Sequence, residues 1–436
     1  MEKIRIYPGR LQGSVLAPSS KSMGHREIIC AALADGVSVV DNISMSKDIE
    51  ATCRCLRAMG AEITPAVSRF AHRRALLVAG TGRLYARESG ADCGESGSTL
   101  RFFIPLGALL DAEFTFTGHG KLASRPLQAY YDIFDEKGVV YKTSLELSGE
   151  HLPLTVKGRL GGGAYRLPGN VSSQYVSGLL FALPLAEGDS VIEITSPLES
   201  AAYVDLTLSC LKKYGVEVIN ENNAHRRYLV RGGQKYSARD SQVEGDWSQA
   251  AFWVAGGALG GRVACGGVDF ASLQGDMAVA EIAKRMGAEL ELSENCITAS
   301  ASRTHGTVID GSSCPDIIPV LTALAALSEG HTSIINAGRL RIKECDRLAA
   351  MTSELNKLGA KITELPDGLE IDGVAELAGG AAVDAWNDHR IAMSLAIAAQ
   401  KCREPIILTG AGSVSKSYPA FWEDYAAVGG RFEVLA

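Results

Sequence analysis

Residues 20–36 read SKSMGHREIICAALADG: a serine, two cations at Lys21 and Arg26, then a run of apolar and small residues closed by Asp35 and Gly36. A hydroxyl just ahead of such a run is a helix N-cap, and a helix with so little polar surface must be packed on all sides. The stretch therefore predicts a buried helix with a capped start. The same design recurs in ESGSTLRFFIPLGALLDAE (95–113), NVSSQYVSGLLFALPLAEG (170–188) and NDHRIAMSLAIAAQ (387–400), and again from Asp246 and Pro315. The six segments open at Ser20, Glu95, Asn170, Asp246, Pro315 and Asn387, spaced by 75, 75, 76, 69 and 72 residues. The first N–H groups of a helix are unpaired and carry a partial positive charge, so several such ends brought together would hold a polyanion.

A second marker keeps step with the first. Gly60, Gly138, Gly215, Gly287, Gly359 and Gly430 follow amphipathic stretches such as DIEATCRCLRAM and ECDRLAAMTSELNKL, at spacings of 78, 77, 72, 72 and 71. Glycine there suits the left-handed residue that ends a helix. The unit is thus 70–78 residues with two helices, one buried and one lying on a sheet, and several strands. Six units fall naturally into two groups of three. The best crossover is GGQKYSARDSQVEGD (232–246), and an earlier one near Ala17–Ser20 would send the first strand to the later group.

Composition bounds the chemistry. At 436 residues the chain calls for two or more domains of about 150 residues each. A net charge of −7 argues against a general nucleic-acid binder, though a local cation cluster can still dominate a cleft. No apolar run reaches the roughly 18 residues of a membrane span. The start, MEKIRIYPGR, lacks the apolar core of a signal peptide, so a cytoplasmic location is expected. The ten cysteines form no CxxC pair, and the eight histidines form neither HxH nor HExxH. Scattered thiols read as small buried hydrophobes in a reducing compartment, and no metal site is expected.

The helix starts carry the residues with chemistry to offer: Lys21, Ser22 and Arg26; Gly97 and Arg101 in GESGSTLR; Arg125; and Ser172, Ser173 and Gln174. They also include Lys343, Glu344 and Arg347 in KECDR, Arg390 in NDHR, and Lys416 in SVSKSYP. GESGSTLR is no Walker loop, since no GKS or GKT follows. So many cations in one small patch call for anionic ligands, and two acids at helix starts, Asp316 and Glu344, could move protons there. The residues describe a metal-free transferase or lyase for highly anionic small molecules.

The pieces PSSKSMGHR, GESGSTLRF, SRP, NVSSQ, SAAYVDLT, EGDWSQAAF, PDIIPVL, RIKECDR, NDHRIAM and SKSYPAFW run in order along essentially the whole chain. Together they resemble the 5-enolpyruvylshikimate-3-phosphate synthase family. The resemblance implies an α/β fold of two inside-out α/β barrel domains, each three βαβαββ-type repeats with buried helices. It implies domains at 1–19 with 241–436, carrying the acid/base and phosphoenolpyruvate-carboxylate residues, and at 20–240, binding shikimate 3-phosphate. It implies transfer of the enolpyruvyl group of phosphoenolpyruvate to the 5-hydroxyl of shikimate 3-phosphate, with release of phosphate and no cofactor. It assigns shikimate 3-phosphate to Lys21, Ser22, Arg26, Ser172, Ser173, Gln174, Ser200, Tyr203, Asp316 and Lys343. It assigns phosphoenolpyruvate to Lys21, Gly97, Arg125, Gln174, Arg347, Arg390 and Lys416, with Arg347 and Arg390 on its carboxylate. Lys21, Asp316 and Glu344 are then the proton-transfer set of an addition–elimination. The expected partners are the two small substrates, with no nucleic acid or membrane, and the chain is expected to be a monomer that closes on its substrates.

Glu95 and Arg339 depart from the family pattern, standing where Asn is common. The alternative is UDP-N-acetylglucosamine enolpyruvyl transferase, which shares fold and chemistry but uses a loop cysteine; residues 102–126 contain none.

Overall fold

A computed structural model describes residues 2–70 and 73–435. The chain divides into two compact units, 19–243 and 1–18 with 244–436.

Each unit is built from three βαβαββ repeats. The second repeat shows the plan. Strand Gly90–Asp92 leads into helix Gly97–Gly107, strand Phe114–Thr117, helix Gln128–Lys137, and strands Val140–Lys142 and Leu154–Lys157. The first two strands pair in parallel across the buried helix, and the other pairings are antiparallel. Strands Gly163–Leu167, Ser190–Ile194, Arg227–Val230 and Val218–Asn220 repeat this order, as do Val308–Asp310, His331–Ile335, Gly368–Asp372 and Lys361–Leu365. The chain closes the other sheets with distant segments. Tyr236–Ser237 and Ser241–Gln242 supply the parallel partners of strand Ala34–Ile43. Gln12–Leu16 pairs in parallel with Arg262–Gly266, and Lys3–Tyr7 lies antiparallel between Ile406–Thr409 and Arg431–Val434.

The apolar helices are inside and the sheets outside. Every residue of Ile318–Ala326 and of His389–Ala398 is buried, as is Trp247–Gly260 up to Leu259. A stretch with no polar face has nowhere else to go. Nine of the ten cysteines are buried and all are free thiols.

Capping separates the two units. In 19–243 the buried helices are capped by serines: Ser20 accepts from Met23 N at 3.4 Å, Ser96 from Thr99 N at 3.2 Å and Ser172 from Gln174 N at 3.3 Å. In the other unit two caps are aspartates, Asp246 on Gln249 N at 3.2 Å and Asp388 on Arg390 N at 2.8 Å. The predicted starts at Glu95, Asn170 and Asn387 therefore shift by one or two residues, because the second polar side chain of each run is the one aimed back at the helix. The segment from Pro315 has no side-chain cap; its helix begins at Ile318 with Pro319 in the first turn. Of the six closing glycines, five have positive φ, from 69° to 103°, and the last is Gly429 (φ 90°) rather than Gly430.

Candidate active site

In the unit 19–243 the chemistry gathers at the starts of the buried helices. Lys21, the first residue of its helix, donates to Asp48 Oδ2 at 2.8 Å. One turn on, Arg26 is buried and held three ways, Nε to Thr207 Oγ1 at 2.9 Å, Nη1 to the Ser22 carbonyl at 2.6 Å and Nη2 to the Tyr203 carbonyl at 2.7 Å. Its guanidinium lies 5.3 Å over the Phe102 ring. Burial pulls Arg26 down to about 10, still a cation at neutral pH. Tyr203 follows Ser200, a buried residue in the left-handed region (φ 53°, ψ 45°), a conformation costing a non-glycine about 1 kcal/mol. Burial, with Lys21 and Arg26 nearby, keeps the His25 imidazole far below its ordinary pKa. His25 Nδ1 meets Thr52 Oγ1 at 2.7 Å, and hydroxyl contacts of 2.8 Å lead on through Thr99 to the cap Ser96.

A second cluster forms around Gly97. Gln174 accepts from Arg101 Nη1 at 2.8 Å and donates to Ser98 Oγ at 2.9 Å. A Cβ built on Gly97 would overlap Arg125 Nη1 and stand 3.5 Å from Arg101 Nη1, so two guanidinium groups crowd this turn. Ser172 and Ser173 open the adjoining helix. Arg26 and Arg101 bond only carbonyl, hydroxyl and amide oxygens; among the described residues neither has a carboxylate partner.

The unit 1–18 with 244–436 gathers acids and bases together. Arg347, its side chain 1% exposed, donates from Nε to Asp388 Oδ2 at 2.8 Å, from Nη1 to Asp316 Oδ1 at 3.0 Å and from Nη2 to Glu344 Oε2 at 2.8 Å. Arg390 donates from Nη2 to Asp316 Oδ2 at 3.2 Å and to Ser248 Oγ at 2.8 Å, and from Nη1 to the Ser248 carbonyl at 3.0 Å. Lys343 Nζ is 3.8 Å from Asp316 Oδ1. Lys416 donates to the Asn387 carbonyl at 2.6 Å. Burial alone would raise the Asp316 carboxyl, but Arg390, Lys343 and Arg347 outweigh it and hold it far below the carboxylate range. Burial, aided by Arg339 and Arg347 against the pull of Asp316, brings Lys343 down to about 8.

One expectation changes here. The cation-excess argument fails for this unit: Lys343, Arg347 and Arg390 sit among Asp316, Glu344 and Asp388, so anionic ligands are not needed to explain them. It survives in 19–243, where Arg26 and Arg101 face neutral acceptors. Nor is either arginine an open fork. Counting its five N–H groups, Arg347 keeps one uncommitted on Nη1, and Arg390 keeps one on Nη1 beside a buried Nε without an acceptor.

The supporting residues went unseen in the sequence. Asp48, Thr207, Ser248 and Asp388 all act across long stretches of chain. Glu354 is another. Buried in the outer helix Arg347–Lys357, it accepts from Trp386 Nε1 at 2.9 Å and Asp384 N at 3.0 Å and pairs with Lys357 at 2.7 Å. It thereby holds the turn in which Trp386 and Asn387 are both left-handed (φ 52°), the turn that receives Lys416 and launches the Arg390 helix. A lone acid on the inward face of an amphipathic helix was the available signal. Among the described residues no three His, Cys, Asp or Glu side chains are placed to hold a metal ion, and no helix is long and apolar enough to cross a membrane.

Comparison with known proteins agrees with this architecture. Residues 6–425 match the family model for EPSP synthase (3-phosphoshikimate 1-carboxyvinyltransferase). A 3-phosphoshikimate 1-carboxyvinyltransferase from Clostridium kluyveri is 51% identical over 433 residues, 99% of each chain. One from Clostridium novyi is 50% identical over 433 residues, 99% of this chain and 98% of that one. A solved EPSP synthase from Acinetobacter baumannii superposes with a TM-score of 0.83 at 28% identity, covering 100% of both chains. With the family model spanning nearly its full length, and two inside-out barrels of buried helices behind that match, the chain belongs to the EPSP synthase family, the 3-phosphoshikimate 1-carboxyvinyltransferases.

Proposed function

We infer that the chain transfers the enolpyruvyl group of phosphoenolpyruvate to the 5-hydroxyl of shikimate 3-phosphate and releases phosphate, a step of aromatic amino acid biosynthesis. The observation that carries this reading is the pair of buried guanidinium groups, Arg26 and Arg101, facing neutral partners at serine-capped helix starts. Such ends favour an anion by their N–H groups and dipole together.

In this reading Ser172, Ser173 and Ser200 take the 3-phosphate, with Lys21, Ser22, Arg26, Gln174, Tyr203, Asp316 and Lys343 around the rest of that substrate. Lys21, Gly97, Arg125, Gln174 and Lys416 hold the phosphate of phosphoenolpyruvate. Arg347 and Arg390 each offer its carboxylate one N–H from Nη1, so the carboxylate bridges two arginines instead of filling one fork. Addition requires a proton on the methylene carbon, which makes C2 electrophilic, and loss of the proton from the attacking hydroxyl. Elimination from the tetrahedral ketal then expels phosphate and returns a proton from the new methyl group. The cations around Asp316 keep it ionised, which makes it a proton acceptor, and Glu344 and Lys21 complete the proton-transfer set. Two of the three cations that hold Asp316 low, Arg390 and Arg347, are those the substrate carboxylate neutralises. Binding therefore strengthens the base at the moment it is needed.

The chain is read as a cytoplasmic monomer without nucleic-acid partners. Phosphate release measured with both substrates, and with each omitted, tests the reaction; release that ignores shikimate 3-phosphate overturns it. UDP-N-acetylglucosamine as acceptor should give none. Asp316→Asn and Glu344→Gln should each lower turnover by about 10²–10⁴ with the fold kept, and near-native turnover in either removes that residue from the proton path.

A further inference from the structure

Three helix starts in the unit 19–243 are joined by one buried line of polar contacts, and at its head stands a residue with no place in the proposed chemistry. Helix Lys21–Leu33 sets His25 one turn after Lys21, and helix Lys47–Ala58 sets Thr52 one turn after Asp48. Lys21 donates to Asp48 at 2.8 Å and His25 Nδ1 meets Thr52 Oγ1 at 2.7 Å, so the two helices are tied twice along facing stripes. Thr52 Oγ1 also meets Thr99 Oγ1 at 2.8 Å, and Thr99 donates to Ser96 Oγ at 2.8 Å, the cap of the helix that opens at Gly97. None of His25, Thr52, Thr99 and Ser96 is more than 1% exposed.

One placement of the ring proton suits this line. Burial, with Lys21 and Arg26 nearby, keeps the imidazole neutral. Nε2 is buried with no hydrogen-bond partner among the described residues, and the ring packs edge-on to Phe102, with centroids 6.2 Å apart. Native structures seldom leave a buried N–H without an acceptor, so a proton on Nε2 is disfavoured, whereas on Nδ1 it is donated to Thr52. Thr52 then donates to Thr99 and Thr99 to Ser96, and every link points the same way. We propose that His25 is a positioning residue for the enolpyruvyl transfer: its Nδ1–H sets the direction of this line and holds the Lys21 helix against the Gly97 start. His25 touches neither substrate. It acts through Lys21 and the Gly97 turn, and phosphoenolpyruvate is the ligand they share, so the role rests on the reading given above. Arg26, assigned to shikimate 3-phosphate, is held separately by Thr207 and the Tyr203 carbonyl.

Long-range proton–nitrogen NMR of the full chain with labelled histidine tests the tautomer without substrate or substitution. With His25 assigned by its Overhauser contacts to Phe102, the spectrum should show a proton on Nδ1 and none on Nε2. In His25→Phe, which keeps a ring but no donor, the KM for phosphoenolpyruvate should rise about tenfold and that for shikimate 3-phosphate by less than about twofold. His25→Asn, whose amide nitrogen can stand where Nδ1 does, should recover most of the loss. Thr52→Val cuts the next link and should raise the same KM, and His25→Phe/Thr52→Val should be no worse than the worse single variant. An Nε2–H imidazole, a native phosphoenolpyruvate KM in both single variants, or additive losses spread over both substrates overturns the proposal. The first of these is read on the wild type, so it stands even where a variant does not fold. A wild type that transfers no enolpyruvyl group defeats the reading of the reaction, and this role with it, while leaving the tautomer as found.

Discussion

Asp388→Asn is the sharpest test of how the acid/base cluster is held. Asp388 is fully buried and serves two masters: Oδ1 caps the helix at Arg390 N (2.8 Å) and Oδ2 takes Arg347 Nε (2.8 Å). Asparagine caps a helix as well as aspartate does, so Oδ1 can stay where it is. The amide nitrogen then faces Arg347 Nε, donor against donor. If the amide flips, the cap is lost instead, at about 1 kcal/mol. Breaking a buried pair costs about 3–5 kcal/mol; Asp316 and Glu344 still compensate Arg347, which places the loss near the lower end, about 3 kcal/mol. For a unit of roughly 200 residues this is about 6–12 °C in Tm. Arg347 would also lose the contact that fixes its plane, so the KM for phosphoenolpyruvate should rise about tenfold, with a smaller effect on the KM for shikimate 3-phosphate. Scanning calorimetry and initial-rate kinetics read the two effects. A Tm within about 1 °C of wild type, together with an unchanged phosphoenolpyruvate KM, would refute the claim that Asp388 orients Arg347.

Three further outcomes are expected. Lys343, brought down to about 8, is a cation below that pH and neutral above it, so kcat/KM for shikimate 3-phosphate should fall as pH rises through about 8. Lys343→Arg should remove this limb, and Arg339→Asn, by deleting a cation that depresses Lys343, should move it to higher pH; an unmoved limb in both variants would assign it to another group. The resemblance implies that glyphosate is competitive with phosphoenolpyruvate. Gly97→Ala should displace the Arg125 guanidinium and weaken glyphosate, the longer ligand, more than the substrate; equal losses in paired inhibition and substrate kinetics would count against that cradle. Glu354→Gln should leave Lys357 and the left-handed turn at Trp386 and Asn387 poorly held, raising the phosphoenolpyruvate KM several-fold. Trp386 fluorescence read beside the kinetics should change with it, and a silent spectrum with native kinetics would show the turn to be self-supporting.

The repeat was legible because burial leaves a strong mark on composition: Ile318–Ala326 has one polar residue, Thr322, and His389–Ala398 has one, Ser394, after its opening His389 and Arg390, and the closing glycines answer a local steric need. Exact starts were less legible because runs such as NVSS and NDHR offer several capping side chains, and only the direction of the backbone decides between Asn387 and Asp388. The cations of the site were readable as types. Their number misled in one unit, since Asp388 and Asp316, distant in sequence from Arg347, neutralise it in space. Supporting groups such as Ser248 for Arg390, or Glu354 for the turn before Arg390, belong to other repeats or other helices. A local pattern can mark Glu354 as an acid on an inward face, but it does not name the partner across the fold.

The strand Lys3–Tyr7 is made long before the strands that flank it. Its neighbours in the sheet are Ile406–Thr409 and Arg431–Val434, so it has no partner until about 400 further residues have been synthesised. The unit 19–243, by contrast, is complete in sequence once its own last strand has been synthesised. Vectorial synthesis therefore orders assembly, with the middle of the chain able to fold while its first eighteen residues wait. During that wait the segment KIRIY, an alternation of apolar residues with cations, is an open edge, and Lys3 and Arg5 are the charges that discourage another chain from pairing with it. Removing them should leave the finished enzyme's rate intact and lower the yield of finished enzyme.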